Sequence, residues 1–150
     1  MKLFTSVLLL FCSLSVYSQN IKYFSSYREL ADQMEVKYEI PACVILAVGY
    51  IESGGGTSKV GKLLNNHFGI VGSCKPEISG YKSRYKYYPT IEASFTGFCE
   101  LLASKKYYAK LKGTKDIKAW LKAIAAAGYA QDANRWSKAV GAIANKHCTN

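Results

Sequence analysis

Residues Ala42–Gly56 read ACVILAVGYIESGGG, an almost unbroken apolar run that ends in a carboxylate, a serine and three glycines. Pro41 precedes the run and suits the first position of a helix, because its φ is already helical and its missing N–H would have no partner there. A helix that is apolar on every side is expected to be buried on every side. The sequence therefore predicts a central buried helix that begins at Pro41 and ends near Gly54, where glycine allows a left-handed exit.

Glu52 is the one charged residue of this helix, and it lies in the last turn. Partial burial disfavours the charged form of a carboxyl group, and the negative end of the helix dipole does the same, so both effects raise its pKa. A carboxyl group that stays protonated near neutral pH can protonate the departing oxygen of a glycosidic bond. The alternative is that Glu52 simply extends into solvent, and this context alone leaves both interpretations open.

The remaining sequence predicts a mainly helical α+β domain. Ser26 and Glu29 form a capping-box pattern for a helix that runs toward Tyr38. Apolar residues at helical spacing predict further helices around 58–64, 91–103 and 117–124, and a last helix with Trp136, Val140 and Ile143 toward the core. Within residues 70–90 this spacing gives way to glycines, a proline and tyrosines, which predicts a small β-lobe or loop flap. A cleft between such a lobe and the helical body would suit an extended polymer.

The first residues have the layout of a secretory signal peptide. Lys2 gives a short basic start, an apolar stretch follows, and Ser18 is a small residue at the predicted cleavage site. We assign residues 1–18 to the signal peptide and 19–150 to a single domain, since about 130 residues can bury one hydrophobic core. The prediction is an exported protein, periplasmic or secreted, with no integral membrane segment in its mature part. An uncleaved anchor is the alternative, but the apolar run is short for crossing a bilayer.

The chain carries a formal net charge of +10, with lysines spread from Lys22 to Lys146 instead of gathered in one block. Such charge attracts any polyanion, including cell-wall polymer, a membrane surface and nucleic acid. The sequence contains no nucleic-acid-binding motif, and an exported protein meets the anionic cell wall first. We therefore expect a cell-wall partner and no nucleic-acid partner.

Four cysteines follow the predicted signal peptide, and an even number in an exported chain favours two disulfides. They are Cys43, Cys74, Cys99 and Cys148, and the sequence leaves three pairings open. Zinc binding is the competing interpretation. However, the sequence has no Cys-x-x-Cys pair among them, and its two histidines, His67 and His147, lie far apart. No metal site is predicted.

Four short motifs in a fixed order connect these features to a known family. They are Ile51–Ser58 (IESGGGTS), Asn65–Ile70 (NNHFGI), Tyr88–Ser94 (YPTIEAS) and Ala127–Ala130 (AGYA). Each motif is weak alone, but the four in this order are specific. Over residues 40–147 the sequence resembles glycoside hydrolase family 73, the peptidoglycan endo-β-N-acetylglucosaminidases.

This resemblance implies a lysozyme-like fold and hydrolysis of the β-1,4 bond after N-acetylglucosamine in peptidoglycan, with no cofactor. It assigns the catalytic acid to Glu52, places Tyr129 near the reacting sugar, and implies that Asn66 and Phe68 line or shape the cleft. Each of the last three also has a structural interpretation. Tyr129 and Phe68 could be core residues, since aromatic side chains are commonly buried, and Asn66 could cap the preceding helix.

A second carboxylate would activate water in an inverting enzyme or act as the nucleophile in a retaining one. Glu77 is the positional candidate because it is the only acidic residue between Gly69 and Glu92. Glu92 is expected in the first turn of its own helix, where its charge suits the dipole. If no carboxylate faces Glu52, the acetamide of the sugar could act as nucleophile. The sequence leaves these routes open.

Other functions fit parts of the same sequence. A muramidase or a lytic transglycosylase could use the same fold and cut the neighbouring bond. A peptidoglycan-binding module without catalysis is a further alternative, because Gly55 and Gly56 occupy a place where the family usually has an aromatic residue and the 70–90 lobe is short. Whether an inhibitor or immunity protein binds this chain is not visible in the sequence.

Overall fold

The helices follow the order that the apolar spacing predicts. The structure, a computed structural model, describes residues 22–148, so the predicted signal peptide, 1–18, lies outside the described residues. The helices are α1 (22–38), α2 (Ala42–Ser53), α3 (Lys59–Leu64), α4 (Pro76–Ser79), α5 (Ile91–Ala103), α6 (Tyr108–Leu111), α7 (Ile117–Ile124) and α8 (Ala133–Cys148). A π-helical turn, Ala125–Tyr129, joins α7 to α8. Neither α6 nor the π-helical turn was predicted.

α2 is the central helix, as predicted. Every residue from Ala42 to Gly49 is buried, and the helix packs against α7 and α8. Burying one large aliphatic side chain contributes roughly 1.5–3 kcal/mol, so this helix forms a large part of the core. Gly54 ends it in the left-handed conformation, with φ 57°. This ending leaves Glu52 in the last turn, at the edge of the core.

α1 begins before Ser26, so the capping-box prediction for its start is wrong. The residues ahead of Ser26 include Tyr23 and Phe24, which are both buried in the core. Burial of two aromatic rings outweighs the local cap. At the other end of α1, the carboxylate of Glu35 accepts a hydrogen bond from the Ala42 N–H at 2.7 Å. This bond joins α1 to the start of α2.

Beyond α2 the chain forms a short helix and the predicted flap. Ser58 caps α3 by accepting a hydrogen bond from a backbone N–H of the first turn, and Asn65 ends α3 in a left-handed conformation with φ 51°. Residues 70–90 contain α4 and, among the described residues, a single isolated antiparallel bridge between Val71 and Tyr85. The segment is thus a loop flap with one bridge.

Aromatic packing attaches the segment after α3 to the body of the domain. The ring of Phe68 stacks on Phe98 at a centroid distance of 4.2 Å and meets Phe95 edge-on at 4.9 Å. Both partners lie on α5, whose start is capped by Thr90 and whose first turn carries Glu92, as predicted. The backbone on either side of Phe68 is therefore fixed relative to α5.

One disulfide connects the start of α2 to the end of α8. Cys43 pairs with Cys148, and their Cα atoms are 5.8 Å apart. Cys74 and Cys99 are free thiols, so the prediction of two disulfides is wrong for the described cysteines. Cys99 is fully buried on α5, whereas Cys74 is half-buried in the flap. An even number of cysteines favours pairing, but pairing also requires two Cα atoms within reach, which cysteine number does not reveal.

The predicted fold class is confirmed. Residues 22–148 build a mainly helical structure around one hydrophobic core cluster, with the flap on one side. Within that range, no helix combines the length and apolar character needed to cross a bilayer.

Candidate active site

Glu52 lies where two cavities meet. One cavity, of 320 Å³, extends toward α5 and the π-helical turn, and the other, of 530 Å³, extends toward the flap. Both are lined by Glu52, Gly69, Val71, Gly128 and Tyr129. Because they share these residues, the two cavities border each other at Glu52, and the pair is taken together as one depression. We call this depression the cleft.

The carboxyl group of Glu52 is half-buried and has a specific partner. Its Oε1 accepts a hydrogen bond from the indole N–H of Trp136 at 2.7 Å. Burial raises the pKa of Glu52, and the Trp136 hydrogen bond, which favours the carboxylate, lowers it in part. Sequence reasoning placed Trp136 in the core but missed this contact. The two residues are 84 positions apart, and no local pattern signals a bond over that distance.

Gly69 approaches the other oxygen of Glu52. Its φ is 64°, and a Cβ atom at this position would lie 3.4 Å from Glu52 Oε2. Glycine adopts this backbone conformation without the steric cost that a Cβ atom brings. The loop therefore borders the carboxyl group with backbone alone, which leaves the space in front of it free of side chain at this position.

Asn66 determines the shape of that loop. Its amide nitrogen donates to the carbonyl oxygens of Ile70 and Lys86, both at 2.8 Å, and its amide oxygen accepts from the N–H groups of Phe68 and Ile70 at 3.3 and 3.1 Å. The residue is 1% exposed. Asn66 is buried beneath the surface of the cleft and shapes it by holding this loop. Asn65, and not Asn66, ends α3.

Tyr129 lines the cleft beside Glu52. Its hydroxyl donates a hydrogen bond to the carbonyl oxygen of Phe68, and its ring packs against Trp136 at a centroid distance of 5.6 Å. Burial, together with the charge of Glu52, raises the pKa of Tyr129, so its hydroxyl stays protonated at neutral pH. Phe68 borders the cleft, but its ring is part of the core and the residue is only 1% exposed.

Glu77 is not brought into the cleft. It lies in α4, none of whose four residues is buried, and it does not line either cavity. Glu52 is the only carboxylate among the described residues of the lining. The structure thus does not bring Glu77 together with Glu52, because Glu77 is exposed to solvent on α4.

A buried polar cluster supports the end of α2 behind Glu52. The Tyr23 hydroxyl lies 3.0 Å from Nδ1 of His67, and the Ser53 hydroxyl donates to the carbonyl oxygen of Gly49 and accepts from the N–H of Gly56. Burial lowers the pKa of His67 to about 4, so this ring is neutral near pH 7. Over residues 22–148 no three His, Cys, Asp or Glu side chains gather as metal ligands would.

Solved structures of three bacterial proteins resemble this chain. A peptidoglycan hydrolase mutant from Sphingomonas sp. A1 has a TM-score of 0.66 and 20% identity, over 83% of this chain and 92% of its own. The C-terminally truncated glycoside hydrolase domain of FlgJ from Salmonella typhimurium has a TM-score of 0.66 and 18% identity, over 85% of this chain and 96% of its own. A chain of a type VI secretion system effector–immunity complex from Pseudomonas protegens has a TM-score of 0.63 and 18% identity, over 87% of this chain and 95% of its own. These likenesses confirm the predicted lysozyme-like fold.

The family assignment comes from the sequence itself. A comparison with curated proteins gives no match. Residues 28–149, however, match the profile of the Glucosaminidase family, described as mannosyl-glycoprotein endo-beta-N-acetylglucosaminidase. This range contains the helices α2 to α8, with Glu52, Gly69, Tyr129 and Trp136, and covers well over half of the chain. The chain therefore belongs to the Glucosaminidase family and is a glycoside hydrolase.

Proposed function

We propose that this protein is an exported peptidoglycan hydrolase that cleaves the β-1,4 bond after N-acetylglucosamine, with Glu52 as the general acid. The observation that carries the proposal is the half-buried carboxyl group of Glu52, with its raised pKa, between the two adjoining cavities of the cleft. The substrate class is supported by the family and by the relatives from Sphingomonas and Salmonella, which are described as a peptidoglycan hydrolase and a glycoside hydrolase domain.

Glu52 would act while it is protonated. As the glycosidic bond breaks, Glu52 gives its proton to the departing oxygen, and this transfer leaves a carboxylate behind. The indole N–H of Trp136 donates to that carboxylate and stabilises it where it forms. Tyr129 keeps its own proton and holds the carbonyl of Phe68, so its role in the cleft is to fix the backbone next to Gly69.

The nucleophile of this step would belong to the substrate itself. Since Glu52 is the only carboxylate among the described residues of the cleft, the 2-acetamido group of N-acetylglucosamine is the better candidate. Its carbonyl oxygen attacks the anomeric carbon as the glycosidic bond breaks, and water then opens the resulting oxazoline ring. That route retains the anomeric configuration. A carboxylate that activates water would invert it, so NMR of the first-formed product separates the two routes.

The function is tested by digesting purified peptidoglycan and identifying the new sugar ends by mass spectrometry after borohydride reduction. We expect reduced N-acetylglucosamine ends, and a loss of about a hundredfold or more in rate for Glu52→Gln, because general acid catalysis contributes factors of that order. Glu77→Gln is the matched control and should keep most of the rate. A loss in Glu77→Gln equal to that in Glu52→Gln would establish a two-carboxylate mechanism instead.

Other products would identify the alternative functions. Reduced muramic acid ends would indicate a muramidase, and anhydro ends a lytic transglycosylase. Binding to peptidoglycan without new ends would indicate a wall-binding module. Normal hydrolysis by Glu52→Gln would remove Glu52 from the mechanism.

Export and an inhibitory partner are further parts of this proposal. Export rests on the signal peptide predicted for 1–18, and it predicts a mature N-terminus at Gln19 that N-terminal sequencing would detect. The relative from Pseudomonas protegens was solved in an effector–immunity complex, which motivates a search for a protein inhibitor of this chain. Co-expression with candidate neighbouring genes, scored by rescue from toxicity in the periplasm, tests it.

A further inference from the structure

The cleft carries positive charge on both sides of Glu52, which the binding of a neutral glycan alone would not need. Lys105 lines the cavity toward α5, and Arg84 lines the cavity toward the flap. Apart from these two cations and Glu52, the described lining residues carry no charged side chain. A ligand that extends along the cleft in both directions would therefore meet a cation on each side of the catalytic acid.

Neither cation has an ionic partner in the described part of the protein. The ion pairs formed there join Arg28 to Asp32 and link Lys112 and Lys115 to glutamates at the end of α1. The Arg84 guanidinium lies over the ring of Tyr85, 5.2 Å from its centroid, and both Lys105 and Arg84 are exposed. Their charges are available to a bound molecule.

The backbone under each cation is fixed. The N–H of Lys105 donates to the carbonyl of Leu102 at 3.0 Å, at the turn that closes α5. The carbonyl of Arg84 accepts from the N–H of Gly72 at 3.0 Å, beside the single bridge of the flap. Each charge is therefore presented from a position held by hydrogen bonds, although the side chains themselves can turn.

The proposed substrate carries anionic groups along its length. Peptidoglycan strands carry a peptide stem on every second sugar, and these stems bear free carboxylates. A strand that passes Glu52 in both directions has a stem within two sugars on either side. We propose that Lys105 and Arg84 bind stem carboxylates and make the enzyme prefer stem-bearing strands over bare glycan. This inference rests on the proposed function, since it assumes that the glycan lies in the cleft.

The test measures binding of soluble strands to protein with the Glu52→Gln substitution, which prevents hydrolysis during the measurement. Three ligands are compared: stem-bearing strands, the same strands with their carboxylates amidated by carbodiimide coupling, and strands stripped of stems by an amidase. The variants are Lys105→Gln, Arg84→Gln and both together. Lys106→Gln is the matched control, because Lys106 is the exposed neighbour of Lys105 and does not line the cleft.

We expect each substitution to raise Kd for stem-bearing strands by about two- to fivefold, and the double variant by about tenfold, as for partly screened ion pairs. The same variants should bind amidated and stripped strands as the parent does. Lys105→Arg should restore the affinity for stem-bearing strands, and about 1 M salt should remove the preference by screening the charges.

Three results would overturn the proposal. Equal losses of affinity for amidated strands would mean that the cations contact sugar. An effect of Lys106→Gln as large as that of Lys105→Gln would mean that only the net charge of the protein matters. Unchanged Kd values would mean that the two cations have no role in binding. The proposed function fails separately, if protein with Glu52 intact releases no reducing ends from any of the three ligands. The binding comparison still decides the role of the two cations in that case.

Discussion

Two opposed influences act on Glu52. Desolvation at the end of α2 favours its neutral form, and the hydrogen bond from Trp136 favours its charged form. A general acid needs both, because it must hold a proton before the bond breaks and tolerate the charge afterwards. If Glu52 has the proposed role, the Trp136 contact is the feature of a single residue that most directly adjusts the reaction.

Removing that contact should move the pH profile in a defined direction. In Trp136→Phe the carboxylate loses the bond that stabilises it, so the pKa of Glu52 rises further. As the proposed general acid, Glu52 must be protonated for activity, and the alkaline limb of kcat/KM should therefore shift to higher pH. The maximal rate should fall about tenfold, the equivalent of one hydrogen bond lost to the developing charge.

Tyr129→Phe is the comparison for this shift, because it removes a hydroxyl that bonds to the Phe68 carbonyl and not to Glu52. Its alkaline limb should stay in place even if its rate falls. An unmoved limb in Trp136→Phe would show that another group sets the profile. The measurement is the initial rate of reducing-end release between acid and alkaline pH.

The position of Glu52 at the end of a buried helix could be predicted because all of its signal is local. An apolar helix, a carboxylate in its last turn and a glycine exit stand within a few positions of each other in the sequence. The hydrogen bond from Trp136 could not be predicted in the same way, since it depends on how α8 packs on α2. Asn66 shows a related limit: its motif was visible, but only the fold shows that the side chain faces inward.

At the scale of elements, the loop after α3 and the flap give the cleft its wall. Gly69 and Gly80 make a matched pair within this region, with φ angles of 64° and 65°. A Cβ atom at Gly69 would lie 3.4 Å from Glu52 Oε2, whereas one at Gly80 would have no atom within 4 Å. Alanine substitutions at these two positions therefore separate the effect of backbone strain from the effect of contact with Glu52.

Gly69→Ala and Gly80→Ala should each lower the free energy of unfolding by about 1–2 kcal/mol, the cost of a left-handed conformation for an L-residue. In Gly69→Ala alone, kcat/KM should also fall, by about tenfold or more, because the added methyl group occupies space beside Glu52 Oε2 that the glycine leaves free for substrate. Urea denaturation and reducing-end assays provide the two measurements. Equal losses of activity in both variants would show that strain, and not contact with Glu52, is responsible.

The bounds of some helices follow from local sequence patterns, and those of others do not. The bounds of α5 and α7 agree with their apolar spacing, because one face of each is buried in the core. The start of α1 does not agree with its capping box, since burial of Tyr23 and Phe24 extends the helix past Ser26. Within 70–90, short polar turns made a flap predictable, while its single bridge was not.

At the scale of the whole molecule, α2 and α8 are connected at both of their ends. Cys43 lies in the first turn of α2 and pairs with Cys148, the last residue of α8. Glu52 lies in the last turn of α2 and bonds to Trp136, the fourth residue of α8. The two helices are thus antiparallel, with the disulfide at one end and the hydrogen bond between Trp136 and Glu52 at the other.

The disulfide closes a loop with a sequence separation of 105, so breaking it should destabilise the protein without removing the hydrogen bond between Trp136 and Glu52. For the double variant Cys43→Ser, Cys148→Ser we expect the free energy of unfolding to fall by about 2–5 kcal/mol, the usual range for a native disulfide in a small exported domain. Well below the melting temperature its kcat should stay close to that of the parent, because the core contacts of α2 with α7 and α8 remain. Reductant should lower the melting temperature of the parent to that of the double variant and leave the double variant unchanged. A double variant that still responds to reductant would reveal a second disulfide, between Cys74 and Cys99, and would restore the pairing that the cysteine number favours.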